Sequence, residues 1–287
     1  MSPAFFDDVR KSPDTGHCSG ATFKHMIEEF RRLHGPGQLL VLPNAWDAGS
    51  ARLIESCGAA AIATSSAAVA WAHGYPDGGA LPARVLVAAV QQITRGLSVP
   101  LTVDIEDGYS SDPGAVGELV AAIADAGAVG INIEDGSGSP DLLAKKISAA
   151  KAGVDVFVNA RTDVYLRGFV SGEHAVAETI ERARRYRDAG CDGLFVPCLS
   201  DPQPIRRIAG EIVLPLNVMI VPGLAPVAEL RALGVRRVSA GAAIAETVYA
   251  TVRRAALQLL SEGRYEAMFE SAMSYSELNA LFVSKSH

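Results

Sequence analysis

Short apolar runs recur eight times along this chain, and a segment with helical periodicity follows each of them. The runs occupy residues 39–47, 60–67, 100–107, 130–135, 156–163, 193–199, 215–220 and 237–241. Most are rich in Val and Ile and bounded by Gly or Pro, as strands buried on both faces should be. Helical patterns lie between them, for example at 50–57, 82–95, 115–126, 142–152, 174–189 and 227–233. Gly58, Gly127 and Gly190 each stand just past such a helix, where glycine closes a last turn. Eight strands alternating with helices predict an α/β fold, a (β/α)8 TIM barrel. An open doubly wound sheet fits less well. It commonly has fewer strands, and no GxGxxG turn follows the first run.

Residues 21–287 carry no linker or composition shift and read as a single barrel domain that includes C-terminal helices over 243–283. Residues 1–20, with their Pro, Asp, Gly and Ser, read as a flexible tail. Two helical patterns follow the last strand, at 243–261 and 265–283. One closes the barrel. The other is surplus, and a surplus apolar helix needs a partner surface, so oligomerisation is expected.

The charge pattern narrows the function. Net charge is −6 with dispersed basic residues, which leaves no footprint for nucleic acid or an anionic membrane. The most apolar stretch, 59–72, is broken by Thr64, Ser65 and Ser66 and is too short to span a bilayer. Cys18, Cys57, Cys191 and Cys198 show no CxxC or zinc spacing and fit reduced thiols in a cytoplasmic protein.

In a barrel of this kind chemistry belongs at the C-terminal strand ends. The tetrapeptide Ile-Glu-Asp-Gly ends two of the runs, at Ile105–Gly108 and Ile133–Gly136, 28 residues apart. Asp104 and Glu106 are two apart on a strand and so share a face, and Glu134 on the neighbouring strand completes a three-carboxylate cup. Crowded carboxylates disfavour one another unless a cation or proton joins them. Hard oxygen donors without His or Cys favour Mg²⁺ or Mn²⁺ over zinc. Arg161 offers a planar fork for a substrate carboxylate, and the backbone N–H groups of Ser65, Ser66 and Ala67 an anion cradle. Together these suit a small 2-oxo or 2-hydroxy acid. Asp107 and Asp135, beside glycines, read as turn formers. Asp163 reads as a cap or a partner for a neighbour, His73 as a loop residue, Lys145 and Lys146 as solvated, and Cys198 as packing.

Over residues 40–241 the chain resembles the isocitrate lyase/phosphoenolpyruvate mutase superfamily. The resemblance rests on Pro43-Asn44-Ala45-Trp46-Asp47, Ala63-Thr64-Ser65-Ser66, Gly74-Tyr75-Pro76-Asp77, Val103 to Tyr109, Gly130 to Asp135 and Ala160-Arg161-Thr162-Asp163, in matching order and spacing. It implies a Mg²⁺-dependent barrel that makes or breaks C–C or P–C bonds next to a 2-oxo-acid carboxylate, through a metal-stabilised enolate. It also implies barrels that exchange their last helix in homodimers, often paired into homotetramers. By position, Asp104 is the expected direct metal ligand. Glu106, Glu134 and Asp77 complete the shell, largely through water. Arg161, Trp46 and the Ser65-Ser66-Ala67 backbone hold the substrate, and Asp77, Glu134 and Arg161 form the expected catalytic set.

Three departures shape the functional expectation. Glu106 stands where the family commonly has Asp. The loop Gly136-Ser137-Gly138-Ser139-Pro140-Asp141 lacks the Lys-x-Cys-Gly-His segment of the isocitrate and methylisocitrate lyases. The same loop lacks the lysine-and-asparagine gating pattern of phosphonopyruvate-acting members. The expected activity is therefore a Mg²⁺-dependent carbon–carbon lyase on a small 2-oxo or 2-hydroxy (di)carboxylate, in its simplest form an oxaloacetate-type decarboxylation. P–C cleavage of a phosphonopyruvate-like substrate and non-catalytic 2-oxo-acid binding are the alternatives.

Overall fold

A computed structural model describes residues 20–270 and 272–283. Nine parallel strands form one sheet. β1 (Leu40–Leu42) and β2 (Asn44–Ala45) are consecutive pieces of the first run, divided by Pro43, which has no N–H for the ladder. They are followed by β3 (Ile62–Thr64), β4 (Leu101–Asp104), β5 (Gly130–Glu134), β6 (Phe157–Arg161), β7 (Gly193–Val196), β8 (Leu216–Met219) and β9 (Arg237–Ser239). β1 pairs with β9 and β2 with β3, so the sheet closes on itself. Asn44 spans that seam: its Nδ2 donates to the Thr64 carbonyl at 2.8 Å and its Oδ1 accepts from Ala240 N–H at 2.9 Å. The eight expected runs are the eight staves of a (β/α)8 barrel.

Helices alternate with the strands. They are α1 (Gly20–Leu33), α2 (Ala48–Ser56), α3 (Ser66–Ala72), α4 (Ala83–Thr94), α5 (Pro113–Asp125) and α6 (Pro140–Gly153). Then come α7 (Val164–Arg167), α8 (Gly172–Asp188), α9 (Pro202–Glu211), α10 (Val227–Ala232), α11 (Ala243–Glu262) and α12 (Tyr275–Ala280). Residue alternation sorts the strands' two faces. Val103, Ile105, Ile131, Ile133, Val158 and Ala160 point outward into a core shared with Val116, Val120 and Ile147 of the helices. Leu40, Leu42, Ala61, Ala63 and Phe157 instead form a second cluster with Ile27 and Phe30 of α1. Helix α1 thus plugs the N-terminal mouth. Phe30 meets Phe157 edge-on at 5.2 Å, and a Cβ on Gly130 would come within 3.1 Å of the Phe30 ring. The tail expected over 1–20 lies outside the described residues except for Gly20, which opens α1. Cys18 lies outside them too.

Three expectations need correction. The helical pattern at 265–283 is not one helix but a 3₁₀ turn at Glu266–Met268 and the short α12. Ser274 restarts the chain as an N-cap in a capping box with Glu277, which competes with continuing a helix through it. Lys146 is not solvated but buried, with Nζ donating to the Asp107 carbonyl at 2.6 Å. Asp135 is not simply a turn former. Its buried carboxylate accepts from Tyr186 Oη at 2.5 Å, Arg182 Nη1 at 2.8 Å and Asp163 N–H at 2.9 Å. It joins the end of β5 to β6 and α8, fixing the strand ends that bear the site. By contrast Asp107, largely exposed, does shape its turn by accepting from Tyr109 N–H at 3.0 Å.

Replacing Asp135 by Ala leaves the buried Arg182 and Tyr186 groups facing an unfilled space. The expected loss is about 3–5 kcal/mol of unfolding free energy, against about 1 kcal/mol for Tyr186→Phe. Urea denaturation measures both, and equal small losses would refute the anchoring role.

Candidate active site at the C-terminal mouth

Strand β4 ends at Asp104, which is buried, and its N–H donates to Thr64 Oγ1 at 3.0 Å. Glu106 does not lie on the strand, so the shared-face argument for the two acids fails. It sits in the turn beyond, with φ at +52°, a left-handed conformation that a glutamate adopts only when its surroundings hold it there. Those surroundings are visible. Glu106 N–H donates to Asp104 Oδ1 at 3.1 Å, and Tyr109 Oη donates to Glu106 Oε1 at 3.0 Å. Gly108, at φ +91°, lets the turn pass Val116, which a Cβ there would strike at 2.9 Å.

Strands β5 and β6 bring the other two members. In register, Glu134 pairs with Arg161. Arg161 Nη1 meets Glu134 Oε2 at 2.5 Å, while its Nε and Nη2 grip both oxygens of Asp163 at 2.7 and 3.1 Å. Asp163 is therefore a partner rather than a helix cap. It is fully buried and shared with Arg167 at 3.2 Å.

The electrostatics follow from this crowding. Burial raises the Asp104 carboxyl above its ordinary range, Arg161 opposes the rise, and Asp77 adds to it. Burial also raises Glu106, with Asp77 and Asp104 contributing and the Tyr109 hydrogen bond opposing. For Glu134, burial and the charges of Asp104, Asp163 and Glu106 outweigh the pull of Arg161 and push it up to about 8. Burial alone would lower Arg161, but Glu134, Asp104 and Asp163 more than compensate, so it stays cationic. Asp77, on the exposed loop after α3, faces the same cavity as Asp104 and Arg161.

That cavity has a volume of about 850 Å³ and includes Ser65, Ser66, Ala67, Asp77, Asp104 and Arg161 in its wall. A second space of about 610 Å³ lies on the Glu106 and Glu134 side, under the Gly136–Ser139 loop. The Glu134–Arg161 pair stands between the two. Of the expected cradle, Ser65 N–H is already spent on the Ala45 carbonyl at 3.2 Å, and the Ser65 side chain caps α3. Ser66 and Ala67, in the first turn of α3, keep N–H groups that have no intrahelical acceptor. Trp46 is part-buried against the outer core with its N–H donated to Ser50 Oγ at 3.1 Å, and it does not line the cavity.

The donor set suits a hard divalent cation. Four carboxylates share one mouth, two of them buried, and their mutual repulsion is only partly offset by Arg161. Among the described residues no three His, Cys, Asp or Glu groups converge as a direct ligand triad. What favours Mg²⁺ over zinc is the donor chemistry alone, hard carboxylate oxygens without His or Cys.

Comparison with known proteins places this geometry. The family model described as phosphoenolpyruvate phosphomutase matches residues 30–260. The chain belongs to that family. It is an enzyme of the isocitrate lyase/phosphoenolpyruvate mutase superfamily, whose members are lyases and mutases. The uncharacterised protein Rv1998c of Mycobacterium tuberculosis (strain ATCC 25618 / H37Rv) is 40% identical over 88% of this chain and 96% of its own length. The 2-methylisocitrate lyase of Aeropyrum pernix is 32% identical over 65% of this chain and 63% of its own length. A solved Burkholderia cenocepacia J2315 structure, provisionally described as a lyase/mutase, is 32% identical with a TM-score of 0.84, covering 92% of this chain and 98% of its own. A phosphonopyruvate hydrolase solved with oxalate and Mg²⁺ shares the fold, with a TM-score of 0.78 and 23% identity over 89% of this chain and 94% of its own.

Thr64 under Asp104 and Tyr109 on Glu106 stand in the quoted motifs, but sequence reasoning gave them no role. Asp163, read as a cap or a partner, proves to be the partner of Arg161. The Glu134 carboxyl, protonated near neutrality, must ionise to take a cation's charge. Mg²⁺ binding at pH 7 is expected to release most of a proton. Affinity should climb about tenfold per pH unit below pH 8 and level off above it. Calorimetry in two buffers of different ionisation enthalpy measures the release, and a buffer-independent heat at pH 7 would contradict it.

Proposed function

We propose that this protein is a Mg²⁺-dependent lyase that cleaves a carbon–carbon bond next to the carboxylate of a small 2-oxo or 2-hydroxy acid. The observation that carries the reading is the juxtaposition of Asp104, Arg161 and the Ser66–Ala67 amides on one cavity wall. Asp104, Glu106, Glu134 and Asp77 would hold the ion, with Asp104 as its principal ligand. The bound ion supplies positive charge to a substrate 2-oxygen as negative charge develops there. The protein's own groups do the rest. Arg161, already steered by Asp163, turns its remaining N–H groups to the substrate carboxylate. Ser66 and Ala67 N–H groups donate to the same anion. Glu134, paired with Arg161, holds that guanidinium in place beside the carboxylate.

Loss of CO₂ from an oxaloacetate-like acid is the simplest version, because it needs no separate acid for the departing carbon. P–C cleavage of a phosphonopyruvate-like acid is the second reading, favoured by the family description. Purified protein should release a 2-oxo acid from such substrates with Mg²⁺ and stop with EDTA. Asp104→Ala should lower both Mg²⁺ affinity and turnover at least about 100-fold. Phosphate from phosphonopyruvate would select the second reading, and tight 2-oxo-acid binding without turnover would reduce the protein to a sensor. An Asp104→Ala variant with both properties intact removes the site assignment.

The assembly belongs to the same proposal. Helix α11 buries only Ala245, while Val248, Val252, Leu257 and Leu260 stay exposed. The barrel's outer face at β1 is bare as well. Val41 is 45% exposed and, with Ile220 and Ile244, lines an apolar groove of about 400 Å³. Two uncovered apolar faces on one chain fit exchange of the C-terminal helix in a homodimer or homotetramer. Light scattering should show an oligomer, and Val252→Asp with Leu260→Asp should shift it to monomer. A monomeric wild type, or an oligomer indifferent to both changes, would count against the exchange.

A further inference from the structure

We infer that the substrate extends beyond its 2-oxo carboxylate as an apolar side chain, without a second retained anion. The inference rests on the reading of Arg161, Ser66 and Ala67 as the carboxylate clamp, and it names what lies past that clamp. The apolar part of the cavity wall is Leu166, Phe195, Pro197, Met219, Ile220 and Pro222, of which Leu166, Ile220 and Pro222 are exposed. Phe195 and Pro197 are buried, and Phe195 lies under the Arg161 guanidinium at 5.9 Å. Among the described residues that line this cavity Arg161 is the one cation, and the clamp uses it. The other charged groups there are Asp77, Asp104 and Glu246, all anionic.

A distal carboxylate held in this space would find no second cation on the described wall and would face like charge, since Arg237 lies beneath that wall, behind Asn132. The cations of the adjoining space are committed elsewhere. Lys146 donates to the Asp107 carbonyl at 2.6 Å and pairs with its carboxylate at 3.5 Å. Arg167 pairs with Asp163 at 3.2 Å. An apolar chain meets none of these penalties and gains from the water it leaves. A carboxylate on C3 that departs as CO₂ is compatible, since it loses its charge in the reaction. One that must be recognised and kept is not.

The test is a calorimetric titration of the full chain in MgCl₂ with a matched pair of acids. 2-Oxoglutarate and 5-methyl-2-oxohexanoate have the same shape, with isopropyl replacing the distal carboxylate, and neither has a C3 carboxylate to lose. The apolar acid is expected to bind about tenfold tighter or better. Equal or tighter binding of 2-oxoglutarate overturns the inference. Oxalate, which has only the clamped part, tells the two readings apart. If it binds while 2-oxoglutarate wins, the side-chain inference alone fails. If oxalate does not bind, the clamp reading fails and takes this inference with it. Leu166→Arg places a cation on the wall and should narrow the ratio about tenfold by tightening 2-oxoglutarate. A folded variant with an unchanged ratio also overturns the inference.

Discussion

The bidentate contact between Arg161 and Asp163, extended to Glu134, is the interaction on which the mouth of the barrel depends. It ties β5 to β6 and to the start of α7. Asp163 is fully buried, and Asp104 and Glu134 are nearly so. Without the guanidinium, Asp163 and Asp104 would have to protonate or drag water into the strand ends. The same contact aims Arg161. With Nε and one edge fixed by Asp163, the remaining N–H groups have little freedom, which is what a clamp for a planar carboxylate requires. Stability and recognition therefore use one side chain, and neither can be tuned without the other.

Below the mouth the barrel interior is stratified. Its lowest layer is apolar, made by α1 against Phe157 and Leu42. The middle layer is polar. Asn159 Nδ2 donates to Asn132 Oδ1 at 2.9 Å, and Arg237 Nη2 reaches the same oxygen at 3.2 Å. Arg237 is fully buried, and burial lowers it to about 9 despite the pull of Asp104. Its charge sits under the carboxylate layer with no carboxylate touching it among the described residues. The mouth is thus flanked by two guanidiniums, one above in contact and one below at a distance, which limits how far the acids drift toward neutrality.

Much of this was legible in the chain. Val/Ile runs with Gly or Pro at their ends carry the barrel, because a strand buried on both faces has few other compositions open to it. Asp104 and Arg161 stand out because polar residues at strand ends have no packing role to explain them, whereas Asp77, on a loop, entered only through the resemblance. What escaped has a common cause. Lys146 and Asp135 look like ordinary helix and turn residues, yet their partners lie 39 to 51 residues away in sequence. Contacts over that range depend on helix positions that periodicity does not set. Glu106 escaped for the opposite reason: its local backbone leaves the strand, and alternation stops applying at Asp104. At Trp46 the backbone N–H is taken by Ser50 beside the capping box, and the ring packs against the core outside the described cavity lining.

The C-terminal helix connects assembly to chemistry. Its first turns, Ala243, Glu246, Thr247 and Ala250, border the candidate substrate cavity. The following turns leave the barrel with their apolar side chains uncovered. One rigid element of 20 residues therefore reaches from the site to the face that needs a partner. A surface that covers Val252 and Leu260 also fixes the tilt of Thr247 and Ala250, since a helix transmits position along its axis with little bending. The cavity's outer wall is then only as well defined as the assembly. In the proposed assembly, loss of the partner would loosen the apolar wall before it disturbed Asp104 or Arg161, which are held from within by Thr64 and Asp163.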